Sequence, residues 1–397
     1  MEQATSIILI ACAAFVLPLV SARLHVSAIT LEILFGIAVG PFMLNLVAQS
    51  PLLDFLAEFG LFLLMFLSGF EIDFGSIEKQ GPRQLALGAG TFAVILGLSF
   101  WLAHLMGYGP FVTFLLATTS LGIVVPTLRT TRRTATRLGQ FILITALMAD
   151  FLALIGVTLF ALIHEHGPGW SLLSIPLLFV VVAVLLVVLK RVVWWHPEWF
   201  ERLFISNDPS ELGIRASLAL MFVIVGLSYA LDIEPILGAF LAGTVFALVF
   251  RNRGSLEQQL SGFSYGFLIP IFFINVGLCF DISGLLGPGV LLDALLLIGA
   301  AIAVKLLPPF LVLRRLPARE ILGSGVLLTA NLSLAVVIVT LGIRIGAMDP
   351  ALRSSVVLLA VVTSIFAPTC FRLLAPPLPP AAPGSPGSPE ARGKAAV

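Results

Sequence analysis

Charge is scarce in this sequence. Lys, Arg, Asp and Glu together make up 11% of its 397 residues, where a soluble domain carries about 25%. Hydrophobic residues make up 59%, and the mean hydropathy is +1.10. This excludes a water-facing domain and makes lipid the solvent for most of the chain. The two signs of charge nearly cancel, leaving a net +1, so nothing draws the chain to nucleic acid. Cysteine is equally rare. Cys12, Cys279 and Cys370 stand singly in apolar segments, without disulfide or metal spacing, and read as small buried apolar residues. Histidine is scattered: His164 and His166 border a short loop, and His25, His104 and His196 fall near the ends of apolar runs. No phosphate-binding glycine loop and no nucleophile arrangement is present, so neither an enzyme nor a cofactor is expected. The first apolar run follows Glu2 with no basic flank, so it reads as an uncleaved span rather than a secretory leader.

What the sequence has instead is long apolar runs. A membrane span needs roughly 17–25 mostly apolar residues. The sequence predicts thirteen: 6–22, 28–47, 53–72, 84–107, 110–128, 137–164, 171–193, 212–231, 233–250, 261–280, 287–313, 319–345 and 351–374. The basic residues sort by side. One alternate set of loops holds 15 of them: Arg23, Lys79, Arg83, Arg129, Arg132, Arg133, Arg137, Lys190, Arg191, Arg202, Arg251, Arg253, Arg314, Arg315 and Arg319. Arg215, Arg372, Arg392 and Lys394 lie on the same side, and the opposite loops carry only Arg344 and Arg353. Cytoplasmic loops are the basic ones. The expectation is a multi-pass protein of the cell membrane, N-terminus outside and C-terminus cytoplasmic. Residues 376–397, rich in Pro, Ala, Gly and Ser, read as a disordered cytoplasmic tail.

The predicted fold is therefore all-α and polytopic. Six spans (about 6–164), one linker helix (about 171–193) and six more spans (about 212–374) make two halves of opposite orientation, the arithmetic of an inverted repeat. Span five contains Thr118-Thr119-Ser120-Leu121-Gly122 and Pro126; its counterpart, span twelve, contains Thr329-Ala330-Asn331-Leu332-Ser333. Polar and small residues at corresponding places predict two interrupted helices. Unwound backbone of that kind exposes carbonyls and half-helix ends to an ion, whereas the same residue types elsewhere serve packing and kinks.

Most charges lie at loop edges, and two do not: Asp150 in span six and Lys305 in span eleven. An Asp or Lys at mid-span costs roughly 2.5–3.5 kcal/mol on insertion scales, and such residues mark ion paths or proton relays. The alternative is a structural pair of the two. A desolvated carboxylate is pushed toward its neutral form and a nearby cation pushes it back, so one acid holds a proton or a cation in competition. The site read from the sequence is Asp150 with Thr118, Thr119, Ser120, Asn331 and Ser333. Lys305 is the counter-charge, Gly122 and Pro126 mark the break, and a transported Na⁺ or K⁺ sits at Asp150. Glu32, Asp54, Glu58, Glu71, Asp73, Glu234, Asp281 and Asp293 read as interfacial or capping acids.

Several stretches carry a resemblance. They are Leu31-Glu32-Ile33-Leu34-Phe35-Gly36 with Gly40-Pro41; Phe55 to Gly60 and Gly69 to Asp73; Leu237-Gly238-Ala239-Phe240-Leu241-Ala242-Gly243; Pro270-Ile271-Phe272-Phe273 with Gly277 and Asp281; and Val304-Lys305. In this order the chain resembles the monovalent cation:proton antiporters, in the branch with bacterial sodium/proton and potassium-efflux antiporters. The resemblance covers about residues 6–375. It implies a rigid panel, a mobile ion-carrying core moving in an elevator-like way, and two interrupted helices crossing beside an essential aspartate matched by Asp150. It also implies a lysine matched by Lys305 and, by analogy, a homodimer. Two departures stand out. Ala149 replaces the usual Asp, Asn or Gln, and Ala330-Asn331-Leu332-Ser333 lacks the acid many members carry. The oxygen-ligand set is poorer, which favours one-for-one exchange. A potassium-efflux or channel-like system, a non-transporting sensor and an organic-anion symporter remain as alternatives.

Overall fold

The computed structural model describes residues 2–24, 28–47, 49–72, 82–134, 136–195, 211–249, 254–280, 290–313, 316–349, 352–376 and 378. Every regular element among them is helical. The helices are α1 (Glu2–Leu24), α2 (Ala28–Val39), α3 (Pro51–Phe70), α4 (Pro82–Leu105), α5 (Pro110–Ala117), α6 (Leu121–Thr130), α7 (Arg137–His166) and α8 (Ser174–Trp195). They continue with α9 (Leu212–Ala230), α10 (Pro235–Val249), α11 (Gly254–Phe263), a π-turn at Ser264–Leu268, α12 (Ile269–Leu278), α13 (Val290–Val312), α14 (Ala318–Leu328), α15 (Ser333–Arg344) and α16 (Leu352–Leu374). Asp73, Asp281, His25, His196, Lys79, Arg202, Arg251, Arg253, Arg314, Arg315 and nearly all of the tail lie outside the described residues.

Among the described residues, eleven helical stretches are long and apolar enough to cross a membrane. The spans expected at 28–47 and 233–250 are shorter: α2 has 12 residues and α10 has 15, about 18 and 22 Å at 1.5 Å per residue. The cause at α2 is local. Gly40-Pro41 ends the helix, and residues 41–44 coil back in turns whose amides bond Gly40 O and Ala38 O. Asn45, at φ 51°, takes the left-handed conformation that Asn tolerates better than most residues.

The helices form two groups. In the first, α3 packs on α10 and α12, α2 on α12, and α9 on α10. Glycines set these contacts. A Cβ on Gly243 would stand 1.9 Å from Phe66 O, and one on Gly69 would stand 2.1 Å from Phe240 O, so α3 and α10 approach backbone to backbone. Gly36 and Gly277 do the same for α2 and α12, at 2.1 Å from Ile274 O and 2.2 Å from Ile33 O. Small residues at helix crossings gain dispersion contact that lipid cannot supply. Phe66, Phe70 and Phe246 fill the space beside the α3–α10 crossing, with ring centroids 5.6–6.2 Å apart.

The second group is α4–α7 with α13–α16. Its two interrupted spans are the most enclosed of the eleven: 83% of the window in 318–344 and 72% in 110–130 is buried, against 11% for α8. The helix α8, expected from the sequence as a linker, therefore runs along the outside. The groups meet through α2 against α16 and α7 against α10. Across that joint Thr30 Oγ1 and Ser364 Oγ lie 2.8 Å apart, and Phe151 faces Phe240 at 5.9 Å.

Two expectations are corrected here. Glu32 is neither interfacial nor a cap. It sits inside α2 with 4% exposure, enclosed because α2 is wedged between α1 and α12. The cysteines are not core residues: Cys12 is exposed and Cys279 and Cys370 are half-buried, Cys12 on a first helix with few neighbours.

The α3–α10 contact makes a test. Overpacking costs about 1–3 kcal/mol, and Gly243→Val drives a side chain into backbone that cannot yield. The purified variant is expected to melt well below wild type in detergent. Gly97→Ala, where nothing lies within 4 Å, is expected to melt at or above it. Equal melting of Gly243→Val and wild type would refute backbone contact at this crossing.

Candidate ion-binding site

Both predicted interruptions are present, and they interlock. The helix α5 ends at Ala117 and the backbone extends through Thr118 (φ −72°, ψ 157°) and Ser120 (φ −91°, ψ 110°) before α6 begins at Leu121. Two β-branched residues followed by Ser and Gly form a weak helix segment. In the other half α14 ends at Leu328 and α15 starts at Ser333, with Leu332 at φ −133°, ψ −75°. Each interruption frees carbonyls that water would otherwise satisfy, and each supplies donors to the other. Thr119 Oγ1 donates to Leu328 O at 2.8 Å, Asn331 Nδ2 donates to Leu115 O at 2.7 Å, and Ser120 N donates to Ala330 O at 2.7 Å. Ser120 Oγ and Ser333 Oγ face each other at 3.4 Å.

Asp150, on α7, reaches the first interruption. Its carboxylate accepts from Thr118 Oγ1 and from the Leu121 amide, each at 3.4 Å. Leu121 is the first residue of α6, so the carboxylate sits at the positive end of that half-helix. Asp150 is partly buried, while Thr118, Thr119 and Asn331 are 0% exposed and Ser120 is 3% exposed. Lys305 is 0% exposed, and its ammonium donates to Thr118 O, at the carboxyl end of α5. The two charges thus complement opposite half-helix ends. They do not form the direct ion pair weighed from the sequence, because the orphaned Thr118 carbonyl takes the ammonium. Pro126 lies inside α6 and has no N–H to give to Gly122 O, which leaves that carbonyl without its helical donor.

A cavity of about 360 Å³ lies between α1, α6 and α16, lined by Ser21, Gly122, Pro126, Thr127, Ser364 and Arg372 among others. It runs between the two helix groups from the basic ends of α6 and α16 to Gly122, one residue past Leu121. On the opposite side the groups are joined by a charge pair: Arg344 Nη2 donates to Glu234 Oε1 at 2.5 Å and to Oε2 at 2.6 Å. Glu234 lies between α9 and α10, and Arg344 ends α15. Burial pushes the Glu234 carboxyl above the ordinary carboxylate range, with the Arg344 guanidinium opposing that rise.

One contributor is absent from the sequence reading. Thr363, on α16, accepts from Asn331 N at 3.4 Å, and its hydroxyl donates to Asn331 O at 3.2 Å or Ala360 O at 3.4 Å. The available signal was spacing: Thr363 follows Asn331 by 32 residues, as Asp150 follows Thr118.

The crossing bonds are testable by a near-isostere. Thr119→Val keeps the shape of the side chain and leaves Leu328 O without its donor. An unsatisfied buried acceptor costs about 1–3 kcal/mol, so the variant is expected to melt several degrees below wild type. An unchanged melting temperature would show that the two interruptions do not depend on this bond.

Comparison with known proteins agrees with the fold and places the chain in a family. Residues 10–375 match the family described as sodium/hydrogen exchanger, transmembrane. A putative Na⁺/H⁺ antiporter, YjbQ, of Bacillus subtilis is 34% identical over 392 residues, covering 93% of this chain and 62% of that protein. A probable Na⁺/H⁺ antiporter 3 of Methanocaldococcus jannaschii is 27% identical over 366 residues, covering 89% of this chain and 92% of the relative. The glutathione-regulated potassium-efflux system protein KefC of Salmonella heidelberg is 27% identical, covering 93% and 60%. The chain thus spans less than two thirds of the Bacillus and Salmonella proteins. Among solved structures, the sodium proton antiporter MjNhaP1 of Methanocaldococcus jannaschii at pH 8 superposes with a TM-score of 0.65 at 17% identity, covering 94% of this chain and 99% of that one. With its match across nearly the whole membrane region, and with two interrupted helices crossing beside a membrane-embedded aspartate, the chain belongs to the sodium/hydrogen exchanger family.

Proposed function

We propose that this protein is a secondary active antiporter, not an enzyme, exchanging protons for Na⁺ or K⁺, with Asp150 holding either in competition. The observation that carries the reading is the setting of Asp150. It is a carboxylate at the start of a half-helix, with hydroxyls and unwound backbone beside it, in a chain of antiporter-family sequence. Proton binding neutralises the acid, and a monovalent cation replaces the proton by charge. Thr118, Ser120, Asn331 and Ser333 supply the neutral oxygens nearest the crossing, and Gly122 O is a further carbonyl with no helical donor.

The direction of access follows from the charges. The basic loops support a reading in which one face is cytoplasmic, with the N-terminus outside and the C-terminus inside. The cavity beside Gly122 then opens inward, and the Glu234–Arg344 pair closes the outer side. This is an inward-facing arrangement, and exchange requires the outer pair to part.

Two outcomes are expected. In proteoliposomes, Asp150→Asn abolishes cation-driven proton movement while purified yield stays at wild-type level; full exchange by that variant would sink the proposal. Joining positions 234 and 344 as Cys with a short bifunctional thiol reagent, in a background lacking the native cysteines, stops exchange. Undiminished turnover after complete joining would mean that the outer pair does not part during transport.

A further inference from the structure

The bonds at the crossing follow a fixed offset. Ser120 and Ser333, whose hydroxyls face each other, are 213 residues apart. The same offset relates Leu115 to Leu328, whose carbonyls each accept a side-chain donor from the opposite interruption. It also relates Thr118 to Asn331 and Asp150 to Thr363. A residue that touches its own equivalent lies on the axis relating the halves, so Ser120 and Ser333 mark that axis. The contacts around it correspond. Asp150 accepts from Thr118 Oγ1 and from the first amide of α6. Thr363, its equivalent, accepts from the amide of Asn331 and returns its proton toward Asn331 O. One half of the site holds a carboxylate and the other a hydroxyl.

Asn331 itself is constrained and incomplete. Leu115 O is an acceptor, so the amide nitrogen of Asn331 must face it. That fixes the direction of Oδ1, which is buried and has no hydrogen-bond partner among the described residues, in a residue that is 0% exposed. A buried acceptor left unmatched is destabilising by about 1–3 kcal/mol. Such an atom in a native structure calls for an explanation, and a bound ion that completes it is one.

We propose that Thr363 is a positioning residue for the transported cation. It clamps the Asn331 backbone so that Oδ1 stays free to coordinate, and because it is neutral where its equivalent is Asp150, the site carries a single ionisable acid. The inference rests on the exchange function proposed above and assigns the second half of that site. Its alternative is a threonine that merely back-bonds its own helix through Ala360 O.

The test separates these. Thr363→Val keeps shape and removes the hydroxyl; Thr363→Ser keeps the hydroxyl and serves as the conservative rescue. In proteoliposomes Thr363→Val is expected to raise the apparent KM for Na⁺ or K⁺ about tenfold with maximal rate within about twofold, a difference of about 1.4 kcal/mol in cation binding. Thr363→Ser is expected to behave as wild type. In detergent, the rise in melting temperature on adding NaCl or KCl, relative to choline chloride, is expected in wild type and Thr363→Ser and lost in Thr363→Val. A wild-type KM and cation-induced shift in Thr363→Val would overturn the proposal. So would an equal loss of maximal rate and of basal melting temperature with KM unchanged, which is the signature of a purely structural role. The melting shift requires no turnover, so it reads Thr363 even if Asp150→Asn exchanges normally and the function itself is wrong.

Discussion

Unsatisfied backbone in lipid is the constraint from which this site is built. Interrupting two helices in the middle of a membrane protein strands carbonyls and amides where no bulk water reaches them, each costing several kcal/mol if left alone. The protein satisfies them by crossing the interruptions. Asn331 completes Leu115 O, Thr119 completes Leu328 O, and Ser120 N completes Ala330 O. Lys305 takes Thr118 O and Asp150 takes the Leu121 amide. Neither interruption is tolerable without the other, which is why the most polar local sequence lies in the most deeply enclosed spans. The proposed ion site is what this mutual satisfaction leaves over: one carboxylate, hydroxyls at the axis, and a few oxygens with spare capacity.

Much of this was legible in the residues. Apolar runs located the spans, and Thr118-Thr119-Ser120 and Ala330-Asn331-Leu332-Ser333 located both interruptions. Asp150 and Lys305 stood out by insertion cost alone. What stayed hidden depended on three-dimensional pairing. Lys305 was expected to face a carboxylate, because opposite charge is the pairing visible in a sequence. Its partner is a backbone carbonyl, which has no letter. Thr363 was invisible because a Thr inside an apolar helix is ordinary, and only its spacing from Asn331 sets it apart. Glu32 was read as interfacial from its place near the start of a run, yet the packing of α2 under α12 encloses it. The length of α2 was overread because hydropathy continues past Gly40-Pro41, where the helix does not.

The placing of rigidity completes the picture. Within the first group, the backbones at Gly69–Gly243 and Gly36–Gly277 touch, and such contacts leave no room for helices to slide. Within the second group, the interlocked interruptions hold α5, α6, α14 and α15 as a unit, since moving one would unpair buried groups in the other. The joint between the groups is different. Among the described residues it is bridged by a hydroxyl contact, Thr30 with Ser364, an aromatic contact, Phe151 with Phe240, and a charge pair at the far rim, Glu234 with Arg344, beside the packing of α2 on α16 and α7 on α10. Each can be broken without stranding backbone, and the cavity that approaches Asp150 lies along this joint. The arrangement therefore concentrates stiffness at the interlocked oxygens and leaves the weaker contacts along the joint, where the proposed exchange requires access to alternate.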